Sequence, residues 1–90
     1  MPAENSVQQD LRREPRIPAN GQIQLSVDHY RITGNLLDIS SSGFRAVHDC
    51  VQLYSGSMVE FWHPGGSGTA RVVWNRISGS TVESGFLICS

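Results

Sequence analysis

Apolar residues in this chain recur at every second position and not with the spacing of a helix face, and that period decides what the chain can fold into. Gln22 to Val27 alternates strictly, with Ile23, Leu25 and Val27 on one side and Gln22, Gln24 and Ser26 on the other. An extended strand with that pattern puts one face in a core and the other in water. Tyr30 to Ile39 repeats it: Tyr30, Ile32 and Leu36 oppose Arg31, Thr33 and Asn35, until the parity changes near Leu36 and Leu37. A parity change inside a strand predicts a bulge, here one that re-aims Asp38. Phe44 to Val47, Ser57 to His63 (Val59 and Phe61 inward), Thr69 to Ile77 (Ala70, Val72 and Trp74 on the apolar side) and Thr81 to Cys89 complete six short strands. Asp28-His29, Ser40 to Gly43, Pro64 to Gly68 and Ser78 to Ser80 read as turns between them, His48 to Gly56 as a longer connection, and Ile17 to Gly21 as a Pro/Asn/Gly turn. The expectation is an all-β fold, a six-stranded antiparallel barrel or sandwich.

Charge narrows the function. The chain carries seven basic residues, all of them Arg, against eight acidic ones, for a net charge of -1. That balance opposes affinity built on a long run of nucleic-acid phosphates, so nucleic acid is not an expected partner. The longest apolar runs are only a few residues and Met1 to Asp10 lacks a secretory core, so neither a membrane span nor export is expected, and the predicted location is the cytoplasm. Cys50 and Cys89 have neither the spacing of a metal site nor the density of a disulfide framework and are expected to be reduced. Residues 1–10 read as a flexible lead-in, and residues 11–90 as one domain that includes an arm over 11–18.

Two short motifs stand apart from the strand pattern. RREPR places Arg12, Arg13 and Arg16 within five residues. Pro15 and Pro18 keep that arm extended, because each disfavours a helical conformation in the residue before it. Guanidiniums offer a planar fork of donors to phosphates, carboxylates or guanine edges, and a flat face for stacking. DISSSG then supplies Asp38, Ser40 and Gly43. Asp38 accepts hydrogen bonds only and suits the paired N–H donors of a guanine edge; Ser40 both donates and accepts; Gly43 lets the backbone bend and a ligand approach. Taken singly, each motif also fits a solvated tail or an Asx turn.

Other chemistry lacks support. His48 and Asp49 are adjacent on a connection and have no reason to form a triad with a serine. His29, His48, His63 and the cysteines lack metal-ligand spacing, and PGGSG lacks the Lys-Ser/Thr of a phosphate loop. No catalytic residue and no metal are expected. Trp62 shares the Glu60 face and is expected to be partly exposed, whereas Trp74 is expected in the core.

The two motifs together resemble the PilZ domain, a bacterial receptor for cyclic diguanylate (cyclic di-GMP) that pairs an RxxxR arm with a later [DN]xSxxG turn. Arg12 and Arg16 match the first, and Asp38, Ser40 and Gly43 the second; ARVVWNR and SGFLI are similar to two later strands of that family. The resemblance implies a PilZ-type barrel whose flexible arm folds over a ligand on the outer surface. Arg12 and Arg16 would clamp guanine and phosphate, Asp38 and Ser40 would hold a guanine edge, Gly43 would leave room, and Arg13 would turn either to solvent or to the second phosphate. Ordering of the arm would then be relayed to an unidentified effector protein; the alternative is an interaction module of the same fold that does not require the nucleotide. The family's usual C-terminal helix has no counterpart before Ser90. The barrel end would be covered by the lead-in or by His48 to Gly56, or be left as an apolar patch for homo-oligomer formation.

Overall fold

The computed structural model describes residues 16–89, and every regular element in them is a strand. In chain order these are β1 (Ile17–Pro18), β2 (Gln22–Val27), β3 (Tyr30–Ile39), β4 (Gly43–His48), β5 (Met58–His63), β6 (Gly66–Ser78) and β7 (Thr81–Cys89). The expected lead-in over 1–10, with Arg12 and Arg13, lies outside the described residues. Neighbours pair antiparallel in the order β1-β3-β2-β5-β6-β7-β4, and β4 pairs back onto β3, which closes six strands into a barrel with β1 as an extra strand on β3. Closure leaves the barrel strands no free edge, which is how a small antiparallel sheet avoids adding further strands.

The six alternating segments of the sequence all appear as strands. Val27 pairs with Tyr30 across a two-residue turn in which Asp28 takes a φ of 51°, a left-handed conformation that Asp tolerates. The expected turn over Ile17 to Gly21 differs in one respect: its first two residues form β1, Ile17 opposite Ile39 and Pro18 opposite Asp38. Pro18 is acceptable there because β1 has a neighbour on one side only. Beyond it, Ala19 N–H donates to the Leu37 carbonyl and Leu36 N–H to the Gly21 carbonyl, at 3.0 and 2.9 Å.

Inward residues from all six barrel strands fill one core: Ile23, Leu25, Ile32, Leu36, Phe44, Ala46, Val59, Phe61, Ala70, Val72 and Phe86 among them. Phe44 stands at its centre, stacked on Phe86 of the neighbouring β7 with ring centroids 4.7 Å apart and tilted against Phe61 of β5 at 4.9 Å. Offset and tilted aromatic contacts of this kind add to the burial energy. The cluster includes one residue from outside the strands, Leu53, which is 3% exposed. The 49–57 connection therefore covers part of the core, as one of the three expectations for the barrel end has it. It is sewn to β6: Gly56 N–H donates to the Val72 carbonyl and Val72 N–H to the Ser57 carbonyl, at 2.7 and 2.9 Å.

A buried polar chain secures the same connection. Cys50 N–H donates to His48 Nδ1 at 3.1 Å, so Nδ1 must be unprotonated and Nε2 carries the proton toward Ser84 Oγ, 2.7 Å away. Ser84 in turn donates to Asn75 Oδ1, and Asn75 Nδ2 donates to the Leu53 carbonyl at 2.6 Å. Every donor points the same way, and the chain works only with a neutral imidazole. His48 and Ser84, which sequence spacing gave no reason to connect, thus have a structural task.

Burial pushes the His48 pKa below its ordinary value, while the charge of Asp49 acts in the opposite direction. An unfolded imidazole takes its proton near about pH 6.5, so the stabilisation from His48 is complete above that value and declines as pH falls toward the lower folded pKa. The urea midpoint is accordingly expected to fall between about pH 7.5 and about pH 5.5, and that fall is expected to shrink in His48→Gln even though the variant starts out less stable.

Candidate functional site

The register of β3 against β4 slips at one residue. Leu36 lies opposite Ala46 and Asp38 opposite Arg45, leaving Leu37 without a partner on β4. Leu36 and Ala46 both point into the core, and the extra residue turns Asp38 to the outer face beside Arg45. The bulge expected from the parity change is present where the sequence put it. Two residues on, Ser40 begins the turn into β4: its N–H donates to the Gly43 carbonyl at 2.8 Å and its Oγ to the same oxygen at 3.3 Å. Ser42 anchors the turn to β7, accepting a bond from Ile88 N–H at 2.7 Å.

β6 contains a second slip of the same kind. Val72 pairs with Phe86 and Trp74 with Gly85, so Val73 has no partner on β7. Trp74, expected in the core on simple alternation with Ala70 and Val72, is instead turned outward and 37% exposed, its indole lying flat over Gly85 where a Cβ would collide with the ring. Trp62 is on the outer face of β5 as expected and is 54% exposed. The two slips bring their re-aimed residues into one line across the barrel: Trp74 opposite Gly85, Gly85 opposite Arg45, Arg45 opposite Asp38, and Asp38 opposite Pro18.

A string of ion pairs follows that line. Arg16, immediately before β1, places Nη1 at 2.9 Å from Asp38 Oδ1. Arg45 holds the other carboxylate oxygen through Nε at 2.8 Å and Nη2 at 2.6 Å. Its Nη1 reaches Glu83 Oε2 at 2.8 Å, and Glu83 Oε1 accepts from Arg76 Nη2 at 2.7 Å. The Asp38 side chain is only 8% exposed. Burial on its own would raise its pKa; the hydrogen bonds and charge of Arg45, then of Arg16, outweigh burial and hold the carboxyl below its ordinary range. The Asp38 hydrogen bond in turn raises the Arg45 pKa. The site is thus a fixed anion between two guanidiniums, with an exposed indole further along the same line.

Of the residues singled out in sequence, Arg16, Asp38, Ser40 and Gly43 meet around the β3–β4 corner, while Arg12 and Arg13 lie outside the described residues. Gly43 serves packing before anything else: a Cβ there would run into the Phe86 carbonyl, because β4 and β7 approach each other closely. Arg45 and Glu83 were not singled out. Their signal was the strand period, which puts Arg45 outward between Phe44 and Ala46, and the tight turn, which folds Arg45 back toward Asp38. Among the described residues, no group of three or more His, Cys, Asp or Glu could hold a metal ion, and no helix is long and apolar enough to cross a membrane.

A closed antiparallel barrel carrying a carboxylate–guanidinium corner on its outer wall, with β1 paired on β3 beside it, defines a small β-barrel binding domain. The sequence model of the PilZ domain matches residues 10–86, and the chain belongs to the PilZ family. That family binds cyclic di-GMP in bacterial signalling, and its members are generally non-enzymatic receptors. No curated protein matches the chain significantly.

Gly43→Ala is expected to cost about 1–3 kcal/mol by overpacking the β4–β7 seam, read as a lower thermal midpoint. Asp38→Asn is expected to cost about 1–2 kcal/mol at neutral pH, the low end of the range for a charged hydrogen-bond partner because water still reaches both guanidiniums. Since the Asp38 pKa is lowered on folding, its stabilisation is present above about pH 4 and is lost as pH falls through the folded value, so parent and Asp38→Asn are expected to converge in acid.

Proposed function

We propose that this chain is a cyclic di-GMP receptor that binds the nucleotide on the outer row around Asp38. The observation carrying the reading is the 2.9 Å contact of Arg16 with Asp38, which brings one residue of each motif to the same point. Arg12 and Arg16 clamp guanine and phosphate, Arg13 reaches the second phosphate, and Asp38 and Ser40 take a guanine edge. Gly43 contributes by letting β4 close against β7, which holds the Ser40 turn in place. Trp74 adds an exposed ring on the same row, suited to stacking on a purine. The arm over 11–18 acts as part of the 11–90 unit. Binding orders the part of the arm ahead of Arg16 and β1, which are fastened to β3 within the chain itself, and changes the surface offered to an effector protein in the cytoplasm. Each ordered residue costs about 1–2 kcal/mol, so the charge-assisted contacts must exceed that total before affinity appears.

A second reading rests on a different observation. Asp38 has both oxygens engaged by Arg16 and Arg45, contacts within the chain itself that fasten Arg16 to the barrel. A PilZ-fold module that presents this assembled surface to a protein partner, another copy of itself included, would need no more.

Calorimetry of the purified chain with cyclic di-GMP separates the two. Saturable one-to-one or two-to-one binding is expected, weakened at least about tenfold, or about 1.4 kcal/mol, in Arg16→Ala and in Asp38→Ala. Affinity that survives both substitutions would reject the site, and a parent chain that does not bind would favour the interaction module.

A further inference from the structure

The two guanidiniums on Asp38 are held in different ways. Arg16 touches Oδ1 through one nitrogen, its side chain is half exposed, and Asp38 is its one ion-pair partner among the described residues. Arg45 brings two nitrogens to Oδ2 and is fastened from behind by Glu83, which Arg76 holds in turn. Releasing Arg16 breaks a single water-accessible contact, whereas moving Arg45 disturbs contacts to both of its carboxylates. Arg45 fills Oδ2 with two donors, so a ligand's donors reach this carboxylate, 8% exposed in its side chain, at Oδ1, and they gain room there when Arg16 moves aside.

We propose that Arg45, braced by Glu83, is the positioning residue of the nucleotide site, fixing the Asp38 carboxylate by Oδ2, and that Arg16 is the exchangeable cap on Oδ1, the oxygen presented to the ligand. This rests on the cyclic di-GMP reading and assigns that site a residue outside both motifs. The exchange conserves hydrogen bonding at Oδ1 and moves one charge: neutral donors of the guanine edge replace the Arg16 guanidinium there, Arg45 stays as the counterion of Asp38, and the freed guanidinium turns to phosphate or ring face. Preorganisation by Arg45 spares the carboxylate rotamer freedom that would otherwise be lost on binding. Among the described residues, the charged groups facing Asp38 are Arg16 ahead of β1 and Arg45 on β4, with Glu83 on β7 and Arg76 on β6 behind Arg45. Removing Arg45 therefore both loosens the carboxylate and makes it easier to protonate.

The test measures cyclic di-GMP affinity as a function of pH for the parent, Arg45→Met, Arg45→Lys and Glu83→Gln, together with the acid titration of Asp38 by carboxyl carbon NMR. Arg45→Met is expected to bind about tenfold more weakly at neutral pH, with the acid limb of binding and the Asp38 midpoint both raised by about one pH unit. Arg45→Lys, which keeps the charge and loses the fork, is expected to restore most of the acid limb and less of the affinity. Glu83→Gln is expected to weaken binding by a smaller factor, about threefold, with Asp38 titrating close to its parental midpoint. If the parent binds and a folded Arg45→Met binds equally well with an unmoved acid limb, the positioning role is overturned and the receptor reading stands. If the parent does not bind cyclic di-GMP at all, the receptor reading and this inference fall together.

Discussion

Between Leu36 and Asp38 the β3–β4 register slips by one residue, and the rest of the site depends on that slip. A strand that kept its pairing would send Asp38 to the same side as Leu36 and Ala46, among apolar side chains where an ionised carboxylate is costly. The extra residue at Leu37 turns Asp38 to the outside, opposite Arg45 and within reach of Arg16. Leu37 is itself put to use, since its carbonyl takes the N–H of Ala19 and helps hold the incoming chain beside β3. One irregularity thus aims the acid and fastens the segment that carries the cap.

β4 couples this corner to the stability of the whole barrel in three consecutive residues. Gly43 presses on β7, Phe44 occupies the centre of the core between Phe61 and Phe86, and Arg45 grips Asp38 outside. Because these side chains alternate, the packing that fixes Phe44 also fixes where Arg45 points. The corner's charges alternate: Asp38 and Glu83 lie between Arg16, Arg45 and Arg76, so the line has one more cation than anion. An anionic ligand meets a surplus of guanidinium there although the chain as a whole is slightly negative.

The strands were legible because each is half buried, and alternation reports half-burial directly. The bulge on β3 was legible for the same reason: Leu36 and Leu37 side by side break the period. The bulge on β6 was not, because Val72, Val73 and Trp74 are all apolar and strict alternation put Trp74 inside, while the structure spends Val73 as the extra residue and lays the indole over Gly85. β1 escaped notice since two residues, one of them proline, carry no period. Arg45 stands just past the motif's last matched position, Gly43; the strand period after the turn signals that it points outward, and the three-dimensional pairing shows how closely it meets Asp38. The neutral His48 chain depends on contacts 36 residues apart that no local pattern announces.

Gly85 has a consequence for observing this protein. Its bare backbone leaves Trp74 lying on the barrel wall in the same row as Arg45 and Asp38, while Trp62, on the neighbouring β5, lies opposite Ser67, well back along β6 from Trp74. The chain has only these two indoles, so its ultraviolet emission has two separate sources of different surroundings. Exchanging Trp62 for phenylalanine would leave a single indole, excited to the red of the two tyrosines, beside the charged row, an optical probe of that surface which needs no dye and no label.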